Sequence, residues 1–177
     1  MTRLRWWITK LRYRRHGVRL AGRPEDPIWH FAFGSNMNED VFCGRRGMAL
    51  KAWRVGRVKG YRLRFNLEGR PRGKAAPANI APDPTGEVWG VLYLITRAGL
   101  VHLDYTEGVP GRRYRHLWVE AEDQAGERLQ AVTYIADGKP DDGRPSPRYL
   151  TLIREGARAH GLPEAYLEFL DSVPHAE

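Results

Sequence analysis

Residues 28–36 read Ile-Trp-His-Phe-Ala-Phe-Gly-Ser-Asn, an apolar run that breaks off at Gly34-Ser35-Asn36 ahead of the polar Asn38-Glu39-Asp40. A glycine turn with consecutive N–H groups, a hydroxyl and an amide can cradle an anion, and a helix opening after it would add positive potential. The other reading is an ordinary turn. Neither the lysine of a phosphate-binding Walker loop nor the G-x-S-x-G elbow of a serine hydrolase is present, since Ser35 sits in F-G-S-N. Glu107 stands beside Gly108, one turn beyond Asp104, at the end of a helical pattern. The helix dipole disfavours an acid there, so Glu107 is either a solvated charge or an acid kept for proton transfer. Tyr149, near the start of a later helix, reads as a core side chain with a satisfied hydroxyl or as a ligand contact. His30, His102 and His116 form no histidine-acid-serine pattern. The single cysteine, Cys43, excludes an internal disulfide, and no Cys/His pair stands at zinc-ligand spacing, so Cys43 reads as a packed small residue.

The elements that must position these groups follow from periodicity. Ile28–Phe33 predicts a buried strand, and Asn38-Glu39-Asp40 offers caps for a short helix carrying Val41 and Phe42. Alternation around residues 55–67 predicts a strand, and residues 87–95 a nearly continuous apolar one in which Gly90 marks close backbone approach. Between them, residues 69–86 carry four prolines and three glycines and read as a long loop. Leu100, Leu103 and Asp104 share helical spacing, with Gly108 as the stop. Residues 117–121 and 129–135 alternate around a turn at 123–126 and predict a hairpin. Ser146-Pro147 opens a helix whose repeat is Tyr149, Leu152, Ile153 and Gly156; Gly161 ends it, and Pro163 opens another with Tyr166, Phe169 and Leu170. Strands outnumber helices and do not alternate with them strictly. The class is therefore α+β, a small mixed and curved sheet flanked by α-helices.

Charge divides the chain in two. Of its 29 Lys and Arg, eight lie in residues 1–24 without an acid, and the other 21 share the remainder with all 21 Asp and Glu. The net charge of +8 thus belongs to the N-terminal segment, and nucleic-acid binding by the neutral body loses its support. Residues 1–27 read as a basic tail, disordered or amphipathic, and residues 28–177 as the domain. Leu4, Trp7, Ile8 and Leu11 fall on one side of a short basic helix, with Trp6 and Trp7 as candidate interfacial anchors. Such a tail would touch an anionic membrane surface or a partner. No apolar run approaches the ~18 residues that cross a bilayer, and no secretory h-region is legible, so a cytoplasmic location is expected, with peripheral membrane contact through residues 1–24 as an addition.

Five stretches in order, "HFAFGSNMN", "EVWGVLYLI", "LDYTEGV", "RPSPRYLTLIREGA" and "HGLPEAYLEFL", closely resemble the gamma-glutamylcyclotransferase family with its AIG2-like relatives, across residues 28–172. The resemblance implies a barrel-like mixed sheet with helices around it and neither metal nor organic cofactor. It implies a small γ-glutamyl substrate whose α-amine attacks its own γ-carbonyl, releasing 5-oxoproline and an amine or amino acid. Glu107 falls on the family's catalytic acid/base. His30, Phe31, Ala32, Phe33, Gly34, Ser35 and Asn36 fall on its substrate-binding strand and loop, and Tyr149 on a substrate-contacting tyrosine. Phe33 stands where the family has tyrosine, and His30 where it has another aromatic; both bear on substrate preference. The competing functions are a non-catalytic module that binds a carboxylate or γ-glutamyl ligand and is docked by its basic tail, and a γ-glutamyl amide hydrolase using water.

Overall fold

Residues 3–15, 21–69 and 75–177 are described by the structure, a computed structural model. Its strands are β1 (Pro27–Ala32), β2 (Ala52–Arg64), β3 (Asn79–Thr96), β4 (Arg115–Asp123) and β5 (Arg128–Ile135). They close into a barrel in the order β1-β3-β2-β4-β5. Among the described residues every pairing is antiparallel except the closing one, where β1 runs parallel to β5 through Trp29↔Ala131 and His30↔Val132. The sheet is therefore mixed, and the α+β, barrel-like class read from the sequence is the one found. β1 is covered on both faces, with Ile28, His30, Phe31 and Ala32 all buried, which is why it reads as a run rather than an alternation. Phe31, Val91, Leu92, Ile95 and Val132 are wholly buried in the core. Each such side chain contributes about 1.5–3 kcal/mol relative to exposure. Gly90 has the close approach expected of it: a Cβ there would lie 2.3 Å from the Ala32 carbonyl oxygen.

The proline-rich stretch departs from its reading as a loop. Residues 70–74 lie outside the described residues, but Asn79–Pro82 already pair with Tyr61–Arg64 as part of the 18-residue β3. Only Asp83–Gly86 leave the ladder, between the pairs Tyr61↔Pro82 and Lys59↔Glu87. There Asp83 Oδ1 accepts from the Thr85 N–H at 3.1 Å and from its hydroxyl at 3.0 Å. The turn chemistry is real, but it makes a bulge within a strand rather than a break between strands.

Four α-helices complete the fold among the described residues: α1 (Arg3–Arg15), α2 (Arg97–Glu107), α3 (Pro147–Ala159) and α4 (Glu164–Ser172). Thr96 caps α2 by accepting from the Gly99 N–H at 3.0 Å, and Gly108 ends it in the left-handed region at φ 76°. Ser146 caps α3 by accepting from the Tyr149 N–H at 3.2 Å. The buried face of α3 is Leu150, Ile153, Gly156 and Ala157, rotated from the expected stripe because Leu152 stays half-exposed. After β1 the chain makes a 3-10 turn (Ser35–Met37) and then, in place of the expected short helix, a π-helical turn (Asp40–Arg45) that buries Val41 and Phe42. α3 rests directly on this connection: a Cβ on Gly156 would fall 2.5 Å from the Met37 carbonyl carbon and the Asn38 nitrogen. At the N-terminus α1 buries Trp6, whose indole N–H donates to the Gly22 carbonyl at 3.2 Å, while Leu4, Trp7, Ile8 and Leu11 stay exposed. Trp6 and Trp7 therefore do not act as a pair, since they lie on different sides of the helix.

Candidate active site

The site forms where β1 ends. Leaving the barrel at Ala32, the chain passes through Phe33 into the Gly34-Ser35-Asn36 turn, opposite the last turn of α2 and the first turn of α3. Between these elements lies a cavity of about 490 Å3. All nine residues that the resemblance assigns to a site line it: His30, Phe31, Ala32, Phe33, Gly34, Ser35 and Asn36 from β1 and its turn, Glu107 from α2 and Tyr149 from α3. Some seventy residues separate the turn from Glu107, and closure of the barrel brings them together.

Gly34 is explained by packing rather than by backbone freedom. Its φ of −114° is open to other residues. A Cβ there would lie 3.2 Å from the Tyr149 hydroxyl oxygen and 3.4 Å from the Ala78 Cβ. The glycine thus lets Tyr149 reach the turn, where its hydroxyl oxygen accepts from the Ala78 N–H at 3.2 Å. Burial pushes the Tyr149 phenol above its ordinary value, as it does Tyr114 across the cavity. Both walls therefore present neutral hydroxyls at physiological pH.

Glu107 is held, not solvated. Its side chain is 13% exposed, and Oε1 receives both a 2.9 Å hydrogen bond from Asn36 Nδ2 and a 2.9 Å ion pair from Arg46. Arg46 also donates from Nε to Asn36 Oδ1 at 2.6 Å and from a terminal nitrogen to the Thr106 hydroxyl at 2.8 Å. Asn36, expected among the substrate contacts, bridges the cation and the carboxylate. Arg46 is the participant that sequence reasoning missed. It lies at the end of the π-helical turn, whose neighbours in space come from α2, and no spacing rule links it to Glu107. The acid at a helix C-terminus, unfavourable to the dipole, is offset by this cation.

Beneath Glu107, a second network fixes the end of α2. Asp104 is wholly buried, and its Oδ1 accepts from the Tyr134 hydroxyl at 2.6 Å and faces His116 Nε2 at 2.7 Å. Residues of β4 and β5 thereby clamp the turn that carries Glu107. His30 Nδ1 lies 3.1 Å from the Val132 carbonyl, which can only accept, so that nitrogen carries the proton. Its other nitrogen is buried without a partner, and burial lowers the pKa of the ring to about 3. His30 is therefore a neutral, desolvated wall of the cavity. Phe33 is buried beside Phe31, with ring centroids 6.4 Å apart.

A family model of AIG2-like proteins matches residues 87–170, the stretch from β3 through α2 to α4. The gamma-glutamylcyclotransferase of Homo sapiens is 30% identical over 160 residues, which cover 87% of this chain and 82% of that relative. This chain belongs to the gamma-glutamylcyclotransferase family. The Bos taurus gamma-glutamylcyclotransferase is 31% identical with the same two coverages. A solved gamma-glutamyl cyclotransferase structure matches with a TM-score of 0.77 at 28% identity, over 86% of this chain and 90% of that one. The closed five-stranded barrel with its helices is thus the gamma-glutamylcyclotransferase fold.

Proposed function

We propose that this chain catalyses the cyclisation of a small γ-glutamyl compound, with Glu107 carrying the proton. The α-amine nitrogen attacks the γ-carbonyl carbon, the bond from that carbon to the leaving nitrogen breaks, and 5-oxoproline departs from a free amine or amino acid. An ammonium cannot attack until it loses a proton, and the leaving nitrogen must gain one. A single carboxylate serves both transfers. The observation that carries this reading is the pair of contacts on Glu107 Oε1, from Asn36 and Arg46. They fix the carboxylate against the cavity and leave Oε2 to exchange the proton. Both reacting groups belong to one molecule, so the remaining task of the site is to hold the folded conformer. The Gly34-Ser35-Asn36 turn and the Tyr149 hydroxyl supply donors for that task. At Phe33 and His30 the wall offers a bare ring and a neutral imidazole, and substrate preference is assigned to these two positions. A cytoplasmic setting belongs to the same proposal and fits a chain with one free, half-buried cysteine.

The test incubates the protein with a panel of γ-glutamyl amino acids and γ-glutamyl amines and measures 5-oxoproline. Glu107→Gln is expected to lower kcat about 10²- to 10⁴-fold, the usual contribution of a general acid/base. Undiminished activity in that variant would sink the assignment of Glu107, and release of free glutamate in place of 5-oxoproline would make the enzyme a hydrolase.

A further inference from the structure

The N-terminal helix α1 carries a surface that the active site does not use. Eight large apolar side chains are exposed among the described residues, and four of them are Leu4, Trp7, Ile8 and Leu11 of α1, at 68%, 60%, 42% and 43% exposure. At about 100° per residue they form one stripe, roughly 10 Å long from Leu4 to Leu11. Trp6 lies about 200° around the helix from Leu4. It is 5% exposed and bonded to the Gly22 carbonyl, where Lys10 also donates at 2.9 Å and covers the Trp6 ring at 5.6 Å. The segment after Gly22 is tied to the barrel side of the molecule, because the Asp26 and Pro24 carbonyls accept from the Arg97 and Ala98 N–H groups at the start of α2. The helix is thus docked by its Trp6 side, and the apolar stripe points away from the body. Arg3 and Arg5 lie about 100° to either side of Leu4, at the two borders of that stripe.

From this arrangement we infer that α1 is an interfacial anchor for a bilayer surface rich in anionic lipid. Charge complementarity selects this occupant. Residues 1–24 hold eight basic residues and no acid, whereas the remainder is neutral. An apolar stripe flanked by long basic side chains lets the stripe enter the acyl boundary while the guanidinium groups reach the phosphates. Trp7, on the outward side, sits at the level where indole rings partition best. A helix of 13 residues that cannot span a bilayer can still lie in its plane. The cavity is lined by no residue of α1, so the stripe and the active site share no side chain.

The experiment uses the full-length protein and sedimentation with sucrose-loaded vesicles of phosphatidylcholine alone or with 30% phosphatidylserine. Binding to the anionic vesicles is expected to exceed binding to the neutral ones by at least tenfold at low salt, and to fall steeply by 0.5 M NaCl. Replacing Leu4, Trp7 and Ile8 together by serine should cut the partition coefficient at least tenfold while melting behaviour and turnover of any γ-glutamyl substrate stay unchanged. Brominated lipid should quench a share of the tryptophan fluorescence that Trp7→Phe removes. Equal partition onto both vesicle types, or a quenched share that survives Trp7→Phe, overturns the inference. So does a concentration-dependent dimer in lipid-free ultracentrifugation that the triple variant dissolves, because the stripe would then be an interface between two copies.

Discussion

At the scale of the residue, the site depends on how one carboxylate is held. Arg46 makes three contacts at once, to Glu107, to Asn36 and to Thr106, and its planar fork is what permits this. Arg46→Met should leave Glu107 tethered only by Asn36 and lower kcat by about 10²-fold through misplacement of the carboxylate, with a smaller change in KM. Arg46→Lys keeps the charge but cannot span the three partners, so steady-state kinetics should show partial rescue; full rescue would mean that charge alone matters. His30 gives a second handle, through proton linkage. Its folded pKa of about 3 lies below the ordinary value of 6.5, so the unfolded chain binds the extra proton between those pH values. The stability contributed by this residue is therefore full above pH 6.5 and falls as pH drops toward 3, by up to about 1.4 kcal/mol per pH unit. Urea titrations from pH 4 to 7 should show a shallower acid loss in His30→Phe than in the parent, and identical slopes would refute the buried neutral ring.

Elements transmit that precision. α3 brings Tyr149 to the Gly34 turn only because Gly156 lets the helix lie on the backbone of Met37 and Asn38. Gly156→Ala puts a methyl group 2.5 Å from main-chain atoms that cannot swing aside. It should destabilise the protein by about 1–3 kcal/mol, as overpacking does, and should also reduce turnover because α3 and the turn are pushed apart. Denaturant midpoints together with kcat measure the two effects; lost stability with unchanged turnover would separate the helix contact from the site. Much at this scale was legible. Gly108 at the end of α2, Ser146-Pro147 at α3 and the hairpin about residues 123–126 are all local signals, set by cap and turn chemistry that needs no distant partner. The miss at residues 79–86 has the same origin. Pro82, Asp83 and Pro84 do favour a turn, but whether a turn separates two strands or bulges from one depends on the ladder offered by Tyr61–Arg64.

For the whole molecule, closure of the barrel is the decisive event. The parallel contact of β1 with β5 joins residues a hundred positions apart, and with β3 it sets His30 and the Gly34 turn beside α2, whose last turn is clamped by Asp104 to His116 and Tyr134. The sequence by itself determined the mixed α+β class, the end of α2, both ends of α3 and the start of α4, the segregation of positive charge into residues 1–24, and Glu107, Tyr149 and the Gly34 turn as candidates. These are properties of periodicity, composition and motif order, all carried along the chain. Tertiary structure alone decided that Asn36 supports Glu107, that Arg46 is its counter-ion, that His30 is neutral, and that Trp6 docks α1 while Trp7 faces outward. The physical reason is that ion pairing, desolvation and exposure depend on what lies a few ångströms away, and in a closed barrel those neighbours come from distant parts of the chain.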